Sequence, residues 1–258
     1  MRIGSSVQTT THQGVSGSGD PLLSRSLFRE SPGGADEPSA SLIELRKPGA
    51  VIKPHFHLVD QFQVVVGGEG RMGKNLLTPV SFHYADAYTP YGPIIGGPMG
   101  IQFLTLRAHT DKTWSHYMPE SRHEMKRKAG RGLACKVEMD QGQTLFRSGS
   151  SVLDTLWEVH DDGLAAFMLR VGPGVSATGP DPSIGGGQCL AVLNGSLIYQ
   201  DEELPLWSCL FVTPDEGPPG LTAGPSGFDA LVLEFPKREA GRGLARQNLM
   251  HELCVVPA

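Results

Sequence analysis

The chain of 258 residues contains an internal repeat, and this repeat is the feature that most restricts its fold. The segment 97–106, GPMGIQFLTL, matches the segment 224–233, GPSGFDALVL, without a gap. A Pro-Gly pair precedes each copy: Gly49 lies 48 residues before Gly97, and Gly174 lies 50 residues before Gly224. Two copies with nearly the same internal spacing predict two tandem domains of one fold.

The repeated segments have the pattern of β-strands. Apolar residues alternate with polar ones or form β-branched runs, as in the segments 41–45, 62–66 and 228–235, and glycine or proline closes each run. The 33 glycines and 20 prolines make up about a fifth of the chain, against roughly 12% in an average protein. So many helix-breaking residues leave little room for long helices, and we predict an all-β protein.

Changes in composition divide the chain into five predicted parts. Residues 1–35 are rich in Ser, Gly and Thr and are expected to form a flexible N-terminal arm. The polar stretch 113–133 is expected to be a linker with one short helix, between an N-terminal domain over 36–112 and a C-terminal domain over 134–236. The tail 237–258 is expected to form a short amphipathic helix that docks through Leu249 and Leu253.

Charge and hydropathy limit the possible partners. The net charge of −5 provides no positive field that would attract nucleic acid or an anionic membrane, so a small-molecule ligand is expected. No apolar run approaches the ~18 residues that cross a bilayer, and the first twenty residues lack the apolar region of a secretory signal. We therefore expect a cytoplasmic protein. The cysteines stand at no metal or redox spacing and are expected to be buried free thiols: Cys135, Cys189, Cys209 and Cys254.

The one close pair of histidines marks the candidate site. His55 and His57 are two residues apart, so on a strand both imidazoles point to one face and can meet one ligand or metal ion. Gln61 follows, and the next strand-like run ends at Gly68. Together with Gly49, this segment of about twenty residues resembles the first motif of the cupin superfamily: a glycine, five residues, His-x-His, three or four residues, a glutamate, six residues and a glycine.

The resemblance implies a small antiparallel barrel or jelly roll, and the repeat then implies a bicupin of two tandem double-stranded β-helix barrels. It also implies one divalent transition metal, Fe, Mn, Ni or Zn, held in the N-terminal barrel by His55, His57, the residue at Gln61 and a third histidine. Gln61 offers a neutral oxygen in place of the family's glutamate, and no histidine follows at the expected third position. His83 is the substitute ligand if it faces the barrel interior; the alternative is a hydrogen-bonded histidine on the outer face.

Four polar residues near this segment are candidates for the substrate pocket: Gln63, Asp86, Tyr88 and Tyr91. In the second copy the histidine pair is absent, Asp181 and several Gly and Pro residues fill its segment, and Gln188 stands where Gln61 stands. No metal is expected there. The C-terminal domain is expected to be a structural or dimerising partner or a pocket without metal, and a homodimer is the expected assembly.

Two functions of different classes follow from these features. The first is a metal-dependent cupin enzyme, an oxygenase, isomerase or lyase, that acts on a small oxygenated organic molecule in the N-terminal barrel. The second is a metal-free bicupin that binds a small molecule without catalysis. The His-x-His spacing favours the first function, whereas the missing glutamate and third histidine favour the second. A scaffold role for both barrels is a third reading.

Overall fold

The structure, a computed structural model, describes residues 1–28, 37–111, 113, 115–125, 130–139 and 149–237, together with the backbone of 253–256. The regular secondary structure of these residues is almost all β-strand, mostly in antiparallel sheets, which confirms the all-β prediction. The chain divides into two compact units, an N-terminal unit of Thr10–Met139 with Leu249–Ala258 and a C-terminal unit of Met1–Thr9 with Asp140–Asn248. Within the described ranges, no helix is long and apolar enough to cross a membrane.

The strands of the N-terminal unit are β2 (Thr10–Val15), β3 (Pro21–Ser26), β4 (Ser39–Leu45), β5 (Val51–Ile52), β6 (His55–Phe56), β7 (Gln61–Met72), β8 (Asn75–Leu77), β9 (Ser81–Ala85), β10 (Ile94–Arg107), β11 (His116–Tyr117), β12 (Gly132–Val137) and β20 (Leu253–Val256). A 3-10 helix spans Arg122–Glu124. The main sheet has the order β2-β3-β4-β10-β7-β9-β12-β20, while β6 pairs with β11 in a separate small sheet.

The strands of the C-terminal unit are β1 (Arg2–Gly4), β13 (Ser151–Trp157), β14 (Ala165–Val171), β15 (Ser176–Thr178), β16 (Gln188–Tyr199), β17 (Glu202–Leu204), β18 (Cys209–Val212) and β19 (Gly220–Glu234). A 3-10 helix spans Pro182–Ile184. The sheet has the order β13-β14-β19-β16-β18-β1, with β15 paired to β19 and β17 paired to β16.

The two units share one strand order, as the sequence repeat predicts. The path β3-β4-β10-β7-β9-β12 corresponds strand for strand to β13-β14-β19-β16-β18-β1, and β5 and β8 occupy the places of β15 and β17. Two equivalent glycines explain part of the repeat. Gly68 and Gly195 both have positive φ, and a Cβ atom on either would lie within 2.2 Å of the carbonyl oxygen of Gly100 or Gly227. Only glycine fits at such a close backbone approach.

Residues 1–28 differ from the expectation of a flexible arm. β1 joins the sheet of the C-terminal unit beside β18, and β2 and β3 form a hairpin on the edge of the N-terminal sheet. The Arg25 guanidinium pairs with the buried Glu44 carboxylate, and Leu22 packs against the apolar core. A composition of Ser, Thr and Gly suits a hairpin as well as a disordered segment, so only the pairing partners distinguish the two.

The boundaries of the linker and the tail also differ from expectation. The linker prediction ended at residue 133, but β12 pairs with β9, so the N-terminal unit continues to Met139. The predicted tail helix is wrong at Leu253, which begins β20 and pairs in parallel with β12, because its β-branched neighbours favour a strand. Leu249 lies outside the described residues. Three of the predicted thiols, Cys135, Cys189 and Cys209, are buried and form no disulfide, and the side chain of Cys254 is not described.

Candidate functional site

The two histidines of the His-x-His segment lie side by side in the N-terminal unit. β6 pairs with β11, and the backbone of His55 forms two hydrogen bonds with the backbone of Tyr91. These pairings bring the imidazoles of His55 and His57 edge to face, with 5.2 Å between the ring centroids. Both residues are buried, with 3% and 9% of their surface exposed. The pair therefore forms a fixed, largely dry polar centre.

A residue that the sequence analysis missed, Arg107, completes this centre. Arg107 is the last residue of β10, and the antiparallel register places it beside Gln61, the first residue of β7. Nη2 and Nε of Arg107 lie 3.0 and 3.3 Å from Oε1 of Gln61, and Nη2 lies 3.3 Å from both ring nitrogens of His57. The sequence contains one indication of Arg107: it is a charged residue at the end of an alternating apolar strand, directly after the repeated segment 97–106.

The hydrogen bonds determine which nitrogen of each imidazole carries a proton. Nδ1 of His55 lies 2.8 Å from the carbonyl oxygen of Lys53, so it donates, and Nε2 accepts from the Tyr91 hydroxyl at 2.8 Å. Nδ1 of His57 donates to Asp111 at 3.0 Å, so Nε2 carries the lone pair of that ring. Nε2 of His55 therefore holds its lone pair toward the Tyr91 hydroxyl, while Nη2 of Arg107 lies over the His57 ring, 3.3 Å from both ring nitrogens.

Gln61 links the two halves of the cluster. Its amide nitrogen donates to the Tyr91 hydroxyl, and its amide oxygen accepts from Arg107. Tyr91, one of the predicted pocket residues, is thus part of the centre. We use the term polar cluster for His55, His57, Gln61, Tyr91 and Arg107.

Burial keeps the imidazoles of the polar cluster neutral. Desolvation, followed by the neighbouring His57, lowers the pKa of His55 to about 3. Desolvation also lowers the pKa of His57 to about 4, because the hydrogen bond to Asp111 only partly offsets it. Burial opposes ionisation of Asp111, yet the hydrogen bonds from His57 and Thr113 outweigh this and hold the pKa of the carboxyl below its ordinary value. At neutral pH the cluster therefore contains one cation, the Arg107 guanidinium, among neutral partners.

His83 lies on the same sheet face as the polar cluster. It pairs with Gln63 across β9 and β7, and Gln63 pairs with Thr105 of β10, two residues before Arg107. The His83 ring lies 4.9 Å from the Tyr91 ring. Gln63 and His83 also line a small cavity with Ser81, Val65 and Phe103, which has room for about one water molecule.

Of two further predicted pocket residues, Asp86 is engaged away from the polar cluster, whereas the backbone N–H of Tyr88 donates to the carbonyl oxygen of His57 at 2.7 Å. Asp86 follows the end of β9 and accepts hydrogen bonds from the Tyr84 hydroxyl and from the backbone and guanidinium of Arg131. Tyr88 has a positive φ of 65° and stacks on Phe56 with 6.1 Å between the ring centroids. Proximity in sequence suggested the pocket, but the turn after β9 directs both residues to structural contacts.

The four predicted metal ligands, His55, His57, Gln61 and His83, come together, but their arrangement does not fit a resident divalent metal. Among the residues that the structure describes, no three His, Cys, Asp or Glu side chains form a cluster that could hold a metal ion. The donor atoms that would face such an ion are occupied by the Tyr91 hydroxyl and by Arg107. An ion bound to Gln61 would lie about 4 Å from the guanidinium, and repulsion between charges of +2 and +1 at that distance is about 8 kcal/mol.

The equivalent positions of the C-terminal unit are filled differently. Gln188 begins β16 as Gln61 begins β7, and it pairs with Glu234 at the end of β19. In the N-terminal sheet, Gln63 lies between Thr105 of β10 and His83 of β9. At the equivalent positions of the C-terminal sheet, Leu190 lies between Val232 of β19 and Leu210 of β18. These three apolar residues belong to the buried core of the unit.

Glu234 is the ionisable group of this second interior. It is fully buried, and desolvation raises the pKa of its carboxyl to about 8. A Cβ atom on Gly185 would lie 2.5 Å from the Glu234 carboxyl, so a glycine at position 185 is required for close packing against this acid. Asp181, in the segment that lacks the histidines, caps the short helix Pro182–Ile184 through the backbone N–H of Ser183.

Comparisons with known proteins identify the fold. No protein-family model and no curated protein sequence matches the chain. Among solved structures, a "putative dioxygenase" from Nostoc punctiforme matches with a TM-score of 0.62 and 13% identity over 95% of this chain and 87% of that chain. The oxalate decarboxylase of Lactobacillus farciminis, a formate complex, matches with a TM-score of 0.60 and 11% identity over 92% and 86% of the two chains.

A third match is a point mutant of the oxalate decarboxylase of Bacillus subtilis, with a TM-score of 0.58 and 12% identity over 93% of this chain and 78% of that chain. The Bacillus enzyme carries Mn(II) centres. These neighbours are cupin-fold proteins, and at such low identity the likeness bears on the fold alone. The chain described here has the cupin fold.

Proposed function

We propose that the chain is a bicupin whose N-terminal unit binds a small organic molecule without a resident transition metal. In this proposal the C-terminal unit is a structural partner. This proposal rests on a difference between equivalent positions of the two sheets. Gln63, His83 and Thr105 in the N-terminal unit correspond to Leu190, Leu210 and Val232 in the C-terminal unit.

The contrast supports a binding role because buried polar groups cost stability. Moving an amide, imidazole or hydroxyl from water into a protein interior is less favourable than burying an apolar side chain there. The C-terminal unit demonstrates that this scaffold accepts leucine and valine at the same three positions. The N-terminal unit therefore has polar residues there that its fold does not require, and contacts to a ligand account for them.

The test is to transfer the C-terminal interior into the N-terminal unit. The full-length triple variant Gln63→Leu, His83→Leu and Thr105→Val is compared with the wild type in a small-molecule screen by ligand-observed NMR. We expect compounds that bind the wild type to lose binding to the variant, while the far-UV circular dichroism spectrum is unchanged. Thr222→Val, on β19 in the C-terminal unit, is the matched control and is expected to retain binding. Equal affinities of the wild type and the triple variant would contradict the proposal.

A second candidate function is a metal-dependent oxygenase, isomerase or lyase that holds Fe, Mn, Ni or Zn through His55, His57, Gln61 and His83. One observation favours it. Nδ1 of His55 donates to the carbonyl oxygen of Lys53, and Nδ1 of His57 donates to Asp111, and hydrogen bonds of this kind orient the imidazoles of metal-binding histidines. Metal analysis after reconstitution separates the candidates. About one equivalent per chain that is lost in His55→Ala supports the enzyme, and well under one equivalent supports the metal-free protein.

The assembly and location are also proposals. We propose a cytoplasmic protein with no nucleic-acid or membrane partner, on the basis of its net charge and hydropathy, and a homodimer, on the basis of its resemblance to cupin domains. Light scattering during size-exclusion chromatography at micromolar concentration measures the assembly, and a monomer would overturn the homodimer.

A further inference from the structure

The most unusual group in the N-terminal unit is the Arg107 guanidinium, because its hydrogen-bond partners are all neutral. Nε and Nη2 donate to the Gln61 amide and approach the neutral His57 ring. Nη1 forms no hydrogen bond with any residue for which coordinates are described, and no described carboxylate forms an ion pair with this arginine. A charge removed from water without an opposite charge is costly, so the arrangement calls for an anion.

The nearest carboxylate, Asp111, does not supply that anion. Its Oδ2 accepts from Nδ1 of His57 and from the backbone of Leu58, and its Oδ1 accepts from the backbone and hydroxyl of Thr113. Asp111 thus reaches Arg107 only through the His57 ring. Its hydrogen bonds hold it in place, so it cannot move to the guanidinium without leaving several polar groups unpaired.

The equivalent pair in the C-terminal unit shows that the cation is not demanded by the fold. There Glu234 occupies the place of Arg107 beside Gln188, and it is fully buried. Arg107, in contrast, is only partly buried as a whole residue, although burial lowers the pKa of its guanidinium. The same scaffold position therefore holds a fully buried acid in one unit and a partly buried base in the other.

We propose that the ligand of the N-terminal unit is a small carboxylic acid whose carboxylate binds Nη1 of Arg107; this inference rests on the proposed binding function. Nη1 carries two N–H groups, and charge-assisted hydrogen bonds from a guanidinium to a carboxylate are stronger than neutral ones. The Tyr91 ring of the polar cluster and the neighbouring His83 ring supply a wall for the rest of the ligand. Arg107 thereby provides, from the chain itself, the positive charge that a metal provides in the cupin enzymes the first motif resembles.

The test compares acids with their uncharged amides on the full-length protein. Acetate with acetamide, malonate with malonamide, and benzoate with benzamide are titrated by NMR and calorimetry at low ionic strength. We expect at least one acid to bind about tenfold more tightly than its amide, and this measurement needs no variant. Arg107→Met is expected to abolish the preference, and Arg107→Lys is expected to weaken it because the forked geometry is lost.

Arg170 supplies the matched control. It is a buried arginine, paired with Asp154 in the C-terminal unit, and Arg170→Met is expected to leave the preference for acids unchanged. Equal binding of acids and amides, no acid binding at millimolar concentration, or an unchanged preference in a folded Arg107→Met protein would overturn the inference. If neutral compounds bind and the Gln63, His83 and Thr105 triple variant abolishes their binding, the proposed function stands and only the ligand class is wrong. If that triple variant has no effect on any bound compound, the proposed function fails as well.

Discussion

Lowering the pH from 7 to 5 is expected to destabilise the N-terminal unit through its two buried histidines. Burial lowers the pKa of His55 to about 3 and that of His57 to about 4, from an ordinary value of 6.5. Below pH 6.5 the unfolded chain therefore binds protons that the folded unit does not, so the free energy of unfolding falls. One pKa unit corresponds to about 1.4 kcal/mol, and the two histidines together remove about 4 kcal/mol between pH 7 and pH 5.

The same change of pH is expected to stabilise the C-terminal unit through Glu234. Burial raises the pKa of this carboxyl to about 8, from an ordinary value of 4.5. Between pH 8 and pH 4.5 the folded unit keeps a proton that the unfolded chain releases. The free energy of unfolding therefore rises as the pH falls, by about 2 to 3 kcal/mol from pH 7 to pH 5.

Hydrogen exchange measured by mass spectrometry resolves the two units in one experiment. After correction for the intrinsic effect of pH on exchange, peptides from β7 should lose protection at pH 5, and peptides from β19 should gain it. Glu234→Gln removes the titrating group and should flatten the response of β19. His123→Asn, an exposed histidine, is the control and should leave both responses unchanged. A change of the same sign in both units, or unchanged protection in β7, would refute the reasoning from burial.

Three further predictions concern single contacts. The double variant Arg107→Met with Gln61→Glu removes the cation and supplies a carboxylate beside His55 and His57. Elemental analysis should therefore find about one equivalent of Mn(II) or Zn(II) per chain. A metal content no greater than that of the wild type would contradict the role given to Arg107. Tyr91→Phe removes the hydroxyl between His55 and Gln61 and should lower the free energy of unfolding by about 1 to 3 kcal/mol in urea titrations. Gly195→Ala places a Cβ atom against a carbonyl oxygen at positive φ and should lower the melting temperature, at a cost of about 2 kcal/mol or more; an unchanged melting temperature would contradict that backbone geometry.

Local patterns carried most of the information about the fold. Strand alternation and the matched segments at 97–106 and 224–233 predicted an all-β chain with a duplicated unit, and the two sheets indeed share one strand order. The ends of the chain were not predictable in this way. β1 and β20 are short, and their pairing with β18 and β12 depends on partners distant in sequence.

The candidate site was likewise predictable from the sequence only in part. The spacing of His55 and His57 placed two imidazoles together, because residues two apart on an extended chain share a face. It could not reveal Arg107, since a charge at the end of a strand is ordinarily solvated. Only the pairing of β10 with β7 brings that guanidinium to Gln61, 46 residues away in the chain.

Periodicity and spacing along the chain were thus enough to predict the fold class, the duplication and the pair of histidines. The charge of the centre depends instead on contacts between distant strands. Strand pairing and burial set which groups touch, and in a site with little water the nearest fixed charge governs what can bind. In this protein that charge belongs to Arg107 of the chain itself.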